Sequence, residues 1–272
     1  MFLSSIKKAI KKTLLTLLKL KWFFFNTVYN ILFGKKIITK LSHEGFSSIE
    51  EFARDSWTAT PFLKRYYKAR YNGTACFIKV GNYDGVLERE ENIITKINTS
   101  NSNLKNRIPS LIKCNLEGKT PYIATSFIEN TVEWKTLSEK AISTFLKNII
   151  DCLDELYELS IIHMDLNYGN ILANENGDIF ILDFGAAFCK DFQNTDSIYS
   201  KSILPKKLSL LGGTSKPRCG LYDDAFSILL LIKNIWPEFK IQHKKEWFEI
   251  NHRIERFQYQ FKHFSKSHFE GC

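Results

Sequence analysis

Residues 161–187, IIHMDLNYGNILANENGDIFILDFGAA, constrain the fold of this chain more than any other segment. Two apolar runs of strand length, Ile171-Leu172-Ala173 and Ile179-Phe180-Ile181-Leu182, flank Asn176-Gly177-Asp178. That tripeptide is a turn signal in which Gly177 is free to take positive φ, so the pattern predicts a β-hairpin. Asp165 and Asp183 stand at its two ends, and Asn170 follows Asp165 by five residues. Closing the hairpin brings Asn170 to Asp183. An amide oxygen and a carboxylate are hard ligands, the kind Mg²⁺ takes when phosphate supplies the remaining oxygens. Asp165 stands apart on the preceding loop, where it can accept a proton.

The run His163-Met164-Asp165-Leu166, then Asn170, then Asp183-Phe184-Gly185 resembles the catalytic loop and metal motif of the protein-kinase-like superfamily. The resemblance covers about residues 50 to 236. It implies an α+β, two-lobed fold with a small β-rich N-lobe and a mostly helical, abbreviated C-lobe. It also implies ATP and Mg²⁺ as cofactors, Asn170 and Asp183 as metal ligands, and Asp165 as the group that takes the acceptor's proton. His163 is expected to hold the metal-loop backbone. The expected organisation is an arm over 1–43, an N-lobe over 44–130 and a C-lobe over 131–272.

In the first lobe, residues 62–71 and 74–80 flank Asn72-Gly73 and predict a second hairpin. Lys79 lies on its second strand, where the superfamily keeps the lysine that contacts ATP phosphates. A helix is expected from Val86 to Ile97. Ile93 and Ile94 face the core and aim Glu90 inward toward Lys79, with Glu88 and Glu91 as alternatives. The glycine-rich loop expected before the hairpin is missing; Asp55 to Thr60 offers hydroxyls instead. The strand within 121–129 leads to the inter-lobe hinge. There Thr125 would border the adenine, and backbone groups from Ser126 to Ile128 would bond it.

In the second lobe, Ser138 caps a helix running to Leu159, with Ile142, Phe145, Ile149, Leu153 and Leu156 at three- and four-residue steps. Residues 186–212 occupy the place of an activation segment, and Gly213-Thr214 echoes its end. Asp224 and Ser227 open the buried helix that supports the catalytic loop. A closing helix carries Trp247, Ile250, Ile254, Phe257 and Phe261 as a core stripe, which argues against a metal cluster or nucleic-acid surface among the late histidines.

Charge divides the chain sharply. The net charge is +9, and residues 1–43 hold nine lysines and no acid; the remaining 29 bases balance 29 acids. Phe2, Leu3, Ile6, Ile10, Leu14 and Leu17 share one helical face, opposite most of the lysines. The uncharged run over residues 22–34 is shorter than the about 20 residues a spanning helix needs. The arm is therefore expected to lie on an anionic membrane surface, with a helix packed on the catalytic body as the first alternative and a signal or anchor segment, which lacks a long apolar core and a small-residue cleavage site here, as the second. The expected location is cytoplasmic, peripheral at the inner face of the membrane. Six separated cysteines with no CxxC pair read as reduced thiols rather than a zinc site.

Position 167, two after Asp165, is lysine in most serine/threonine protein kinases and asparagine here. Asp-Leu-Asn is similar to the bacterial kinases of lipopolysaccharide core sugars and to small secreted effector protein kinases. A glycolipid sugar at the membrane face is the first expectation for the acceptor, a protein serine or threonine the second, and a partner-binding pseudokinase the third. No nucleic-acid partner is expected.

Overall fold

The computed structural model describes residues 24, 27, 33–52, 65–81, 85–118, 120–189, 191 and 224–254. Asp55 to Thr60, the chain from 192 to Gly213-Thr214, Phe257, Phe261 and nearly all of the arm before residue 33 lie outside the described residues. The contacts divide the chain into two compact units, residues 1–83 with 111–127, and residues 84–110 with 128–272. The helix that carries Glu90 thus groups with the catalytic loop, and Lys79 groups with the sheet.

The first unit is an antiparallel sheet of five strands, β1 (Phe46–Glu51), β2 (Arg65–Tyr71), β3 (Thr74–Val80), β4 (Leu111–Asn115) and β5 (Tyr122–Ser126), in the order β1-β2-β3-β5-β4. Asn72 and Gly73 both take positive φ in the β2–β3 turn, as the Asn-Gly signal requires. Alternation sorts the β3 side chains. Cys76, Ile78 and Val80 point into the core, and Ala75, Phe77 and Lys79 take the other face.

The arm and the sheet are not separate at residue 43. Helix α1 (Lys35–His43) precedes β1 and buries Ile37 and Leu41 among Phe46, Tyr67, Cys76, Ile78 and Tyr122. The four-residue step between the two apolar side chains puts them on one face. Lys40 Nζ donates to the Thr120 carbonyl at 2.9 Å, so one of the arm's nine lysines is tied to the sheet. Glu44, directly after α1, is the clamp. Its carboxylate meets Lys113 at 3.0 Å and accepts from Asn115 and the Tyr122 hydroxyl, and its carbonyl accepts from Lys113 at 2.6 Å. The bond from Lys113 lowers the Glu44 pKa. Strand β1 left little trace in the sequence, because Ser47, Ser48 and Glu50 face solvent and the register slips between Ser47 and Glu50.

The second unit is built on α2 (Val86–Thr99), α3 (Glu139–Glu158), α4 (Asp224–Ile235), α5 (Phe239–Gln242) and α6 (Lys244–His252). Ser138 Oγ accepts from Ala141 N–H and caps α3 as expected. Three further ties hold the unit. Arg107 reaches Asn148 and Asp151 on α3, Glu155 accepts from Ser102 and Leu104, and Arg253 grips Asp154 with two nitrogens, at 2.8 and 2.6 Å. A paired guanidinium and carboxylate fix orientation as well as distance. Ile250 of the closing stripe is fully buried. Cys76, Cys114, Cys152 and Cys189 carry free thiols, and all but Cys114 are buried. Among the described residues, no helix is long and apolar enough to cross a membrane.

Candidate active site

The catalytic loop lies between two short strand pairs. Strand β6 (Ile161–Ile162) pairs with β9 (Phe188–Cys189), and β7 (Ile171–Ala173) pairs with β8 (Ile179–Ile181). The β7–β8 turn is five residues long and is organised by Asn174 rather than by Asn176. Asn174 Oδ1 accepts from the N–H groups of Asn176 and Asp178, and its own N–H donates to Asp178 O. The expected hairpin is present, and an Asx-type turn at Asn174 closes it. Gly177 has φ +85°, and a Cβ there would come closer than 3.0 Å to the Ala141 carbonyl of α3. Both its backbone conformation and its packing therefore demand glycine.

Leu182 N–H donates to Asn170 O at 2.8 Å, extending the ladder one step and setting Asn170 beside Asp183 in the chain's fold. Asn170 is 2 % exposed, and its Nδ2 donates to both the carbonyl and the carboxylate of Asp165, at 2.8 and 3.1 Å. These bonds turn its amide oxygen away from Asp165. Asn167 also braces the loop: Nδ2 donates to Asp165 O at 3.0 Å and Oδ1 accepts from Gly169 N–H at 2.8 Å. Burial pushes the Asp165 carboxyl above the ordinary range, with His163 opposing it, the Asp183 charge adding to it, and the amides of Asn167 and Asn170 opposing it.

His163 is wholly buried and holds the loop to the hairpin. Its Nε2 lies 2.8 Å from Leu182 O, and its Nδ1 lies 3.3 Å from Asp165 N. A neutral ring protonated at Nε2 satisfies both contacts. Its face meets Phe184 at 4.9 Å between centroids. Beneath the loop, Asp224 at the start of α4 is 1 % exposed and accepts from His163 N–H at 2.7 Å and Met164 N–H at 3.1 Å. Met164 has φ 65° and Asp183 φ 64°, both left-handed. Such backbone costs about 1–3 kcal/mol and persists only where neighbours over-determine it.

The 3₁₀ turn Phe184–Ala186 packs against α2. A Cβ on Gly185 would meet Val86 Cγ1 at under 3.0 Å, so only glycine allows this approach. Of the three acidic candidates on α2, Glu90 is the buried one, 3 % exposed, whereas Glu88 and Glu91 are half-buried. Arg89, beside it, was not singled out by its sequence pattern. It is 4 % exposed and donates from Nε to Gly185 O at 2.9 Å.

In the first unit, Lys79 lies half-buried on the central strand, opposite Tyr66 and Ile123. Thr125 is 6 % exposed on β5. Phe127 N–H donates to Ala75 O at 3.1 Å, so the ladder runs one residue past β5. Cys76 and Ser126 thus form a pair whose peptide groups turn away from each other, and the Ser126 carbonyl points away from β3. Ile128, half-buried, begins the second unit.

The residues fit a hydrated divalent cation. Among the described residues, no three His, Cys, Asp or Glu side chains cluster as a cage. Asn170 and Asp183 instead offer two hard oxygens, which suits Mg²⁺ when phosphate completes its shell.

A five-stranded antiparallel sheet with a lysine on its central strand, and a helical unit with this braced Asp–Asn–Asp loop, define a two-lobed α+β fold of the protein-kinase type. Comparison with known proteins agrees. The protein kinase domain family matches residues 67–204, just over half of the sequence. The chain belongs to that family. It is similar to the serine/threonine-protein kinase cst-1 of Caenorhabditis briggsae, 45% identical over 53 residues, covering 20% of this chain and 11% of the relative. It is also similar to the probable serine/threonine-protein kinase mkcD of Dictyostelium discoideum, 28% identical over 94 residues, covering 35% and 13%. The mitogen-activated protein kinase HOG1 of Arthrobotrys oligospora is 37% identical over 67 residues, covering 25% and 19%. The matches thus span only a small part of each curated relative.

Proposed function

We propose that this protein transfers the γ-phosphoryl group of ATP to a serine or threonine hydroxyl of a protein. The observation that carries the reading is the braced loop, with Asp165, Asn170 and Asp183 held by Asp224, His163 and Asn167. Asp165 takes the proton of the acceptor hydroxyl as that oxygen bonds to phosphorus and the β–γ bridging oxygen leaves with ADP. The raised basicity of its carboxylate favours that role. Asn170 and Asp183 would hold Mg²⁺, which when bound neutralises phosphate charge. Lys79 would orient the phosphates, and Glu90 is the acidic residue that the resemblance implies for the lysine's partner. Because Phe127 N–H is taken by Ala75, the Ser126 carbonyl and Ile128 N–H are the hinge groups assigned to adenine, with Thr125 beside it.

The protein acceptor is placed ahead of the glycolipid because all three relatives named above carry protein-kinase names, two of them serine/threonine-protein kinase, and because the end of the arm packs on the sheet. One observation favours the second reading, a glycolipid sugar acceptor at the inner membrane face: six lysines and no acid within residues 1–21. Each lysine near an anionic leaflet is worth about 1 kcal/mol. Labelled ATP supplied with total protein extract and, separately, with membrane glycolipid distinguishes the two acceptors. Asp183→Asn should abolish transfer and weaken Mg·ATP binding, whereas Asp165→Asn should abolish transfer and spare binding. Wild-type rates in both variants would refute the assignment. Deleting residues 1–34, which leaves α1 whole, should release the protein from anionic vesicles if the membrane reading holds.

A further inference from the structure

The left-handed backbone of Asp183 needs a restraint on each side. On its N-terminal side the Leu182 carbonyl is bonded by His163 Nε2 at 2.8 Å. On its C-terminal side the Gly185 carbonyl is bonded by Arg89 Nε at 2.9 Å. Between them Phe184 is fully buried, and Ala187 N–H closes the 3₁₀ turn on Phe184 O. The Arg89 contact reaches across 96 residues of sequence and joins the helix of Glu90 to the turn of Asp183. Two other features keep this approach close: Gly185 lies against Val86, and Lys96, two turns further along α2, pairs with Asp191 just past β9.

We propose that Arg89 is a positioning residue for the metal-binding carboxylate. It locks the Asp183-Phe184-Gly185 turn to α2 and so fixes where Asp183 stands relative to Asn170. A cationic donor bonded to a carbonyl is a stronger tie than a neutral hydrogen bond and is directional, which suits holding a strained turn. It is also buried, so water does not compete for the bond. Arg89 touches neither ATP nor the acceptor in this assignment; it acts through the backbone of Gly185.

This inference rests on the Mg·ATP reading of the site, and the test separates the two. In the full chain, ATP affinity is measured as a function of Mg²⁺ for the wild type, Arg89→Met and Arg89→Lys. Arg89→Met keeps the bulk and removes the donor, and should raise the Mg²⁺ concentration needed for half-maximal binding roughly tenfold, equivalent to about 1.4 kcal/mol. Arg89→Lys keeps a charged donor and should recover part of that loss. ATP binding without metal should not change in either variant. In the protein without ATP or metal, amide hydrogen exchange over residues 184–187 should accelerate in Arg89→Met and less in Arg89→Lys. If both variants merely lose thermal stability, with the Mg²⁺ dependence and local exchange unchanged, Arg89 is a structural residue and the inference fails. If the wild type itself shows no Mg²⁺-dependent ATP binding, the functional reading falls and takes the inference with it.

Discussion

Asp224 anchors the catalytic loop through two backbone N–H groups, and its replacement gives a quantitative test. The carboxylate is 1 % exposed and accepts from the N–H groups of His163 and Met164 at 2.7 and 3.1 Å. Hydrogen bonds to a charged group are worth about 1.5–3 kcal/mol each, so Asp224→Ala should cost roughly 3–6 kcal/mol. Asp224→Asn keeps one acceptor and sets an NH₂ against the other N–H. On the same count it should cost about 1.5–3 kcal/mol for the one lost bond, less than the alanine variant. Met164 also loses the restraint on its left-handed backbone, and Asp165 is the next residue. A shift of about 1 Å there is enough for a 10²-fold fall in turnover. Urea unfolding reads the stability and steady-state kinetics the turnover, with ATP affinity as the control expected to hold. A loss below about 1 kcal/mol in Asp224→Ala, less than one ordinary charged hydrogen bond, together with wild-type turnover, would refute the claim that α4 anchors the loop.

Two other expectations follow from the geometry. Gly177→Ala places a Cβ on the Ala141 carbonyl in a backbone of φ +85°, so it should destabilise by about 2 kcal/mol or more, read by chemical denaturation. Glu44 titrates below its ordinary value in the folded protein because Lys113, Asn115 and Tyr122 stabilise its charged form. Its contribution to stability is therefore present above about pH 4.5 and is lost as pH falls through the lower folded value. Glu44→Gln should flatten the acid side of the melting-temperature profile, and an unchanged acid slope would show that the clamp is not electrostatic.

The fold's catalytic half was legible because its chemistry is local. Asp165, Asn170 and Asp183 sit within nineteen consecutive residues, and apolar runs of strand length separate the last two. The lysine strand was legible from Asn72-Gly73, and α3 from its cap and periodicity. Arg89 was not, since an arginine on an amphipathic helix ordinarily reaches water, and its bond to Gly185 lies 96 residues away in sequence. The same holds for Asn167, whose sequence showed a missing lysine and whose structure shows a side chain that braces its own loop. The boundary at residue 43 followed charge, which fell to balance there, whereas packing follows Ile37 and Leu41. The β7–β8 hairpin was legible from its two apolar runs and Gly177, while the role of Asn174 in closing the turn was not, because its side-chain bonds leave no mark in a local pattern.

The distribution of thiols gives the protein a means of reporting its own opening. Cys76 lies at the centre of the sheet unit, and Cys152 and Cys189 lie within the helical unit, all three closed to solvent. The attacking species in alkylation is the thiolate, and burial pushes the Cys76 pKa upward and that of Cys152 to about 11. A thiol reagent can therefore react at these positions only through transient unfolding around each one. Because the cysteines belong to different units, mapping which becomes labelled first, by mass spectrometry at short times, would time the breathing of the sheet and of the helices separately within one sample.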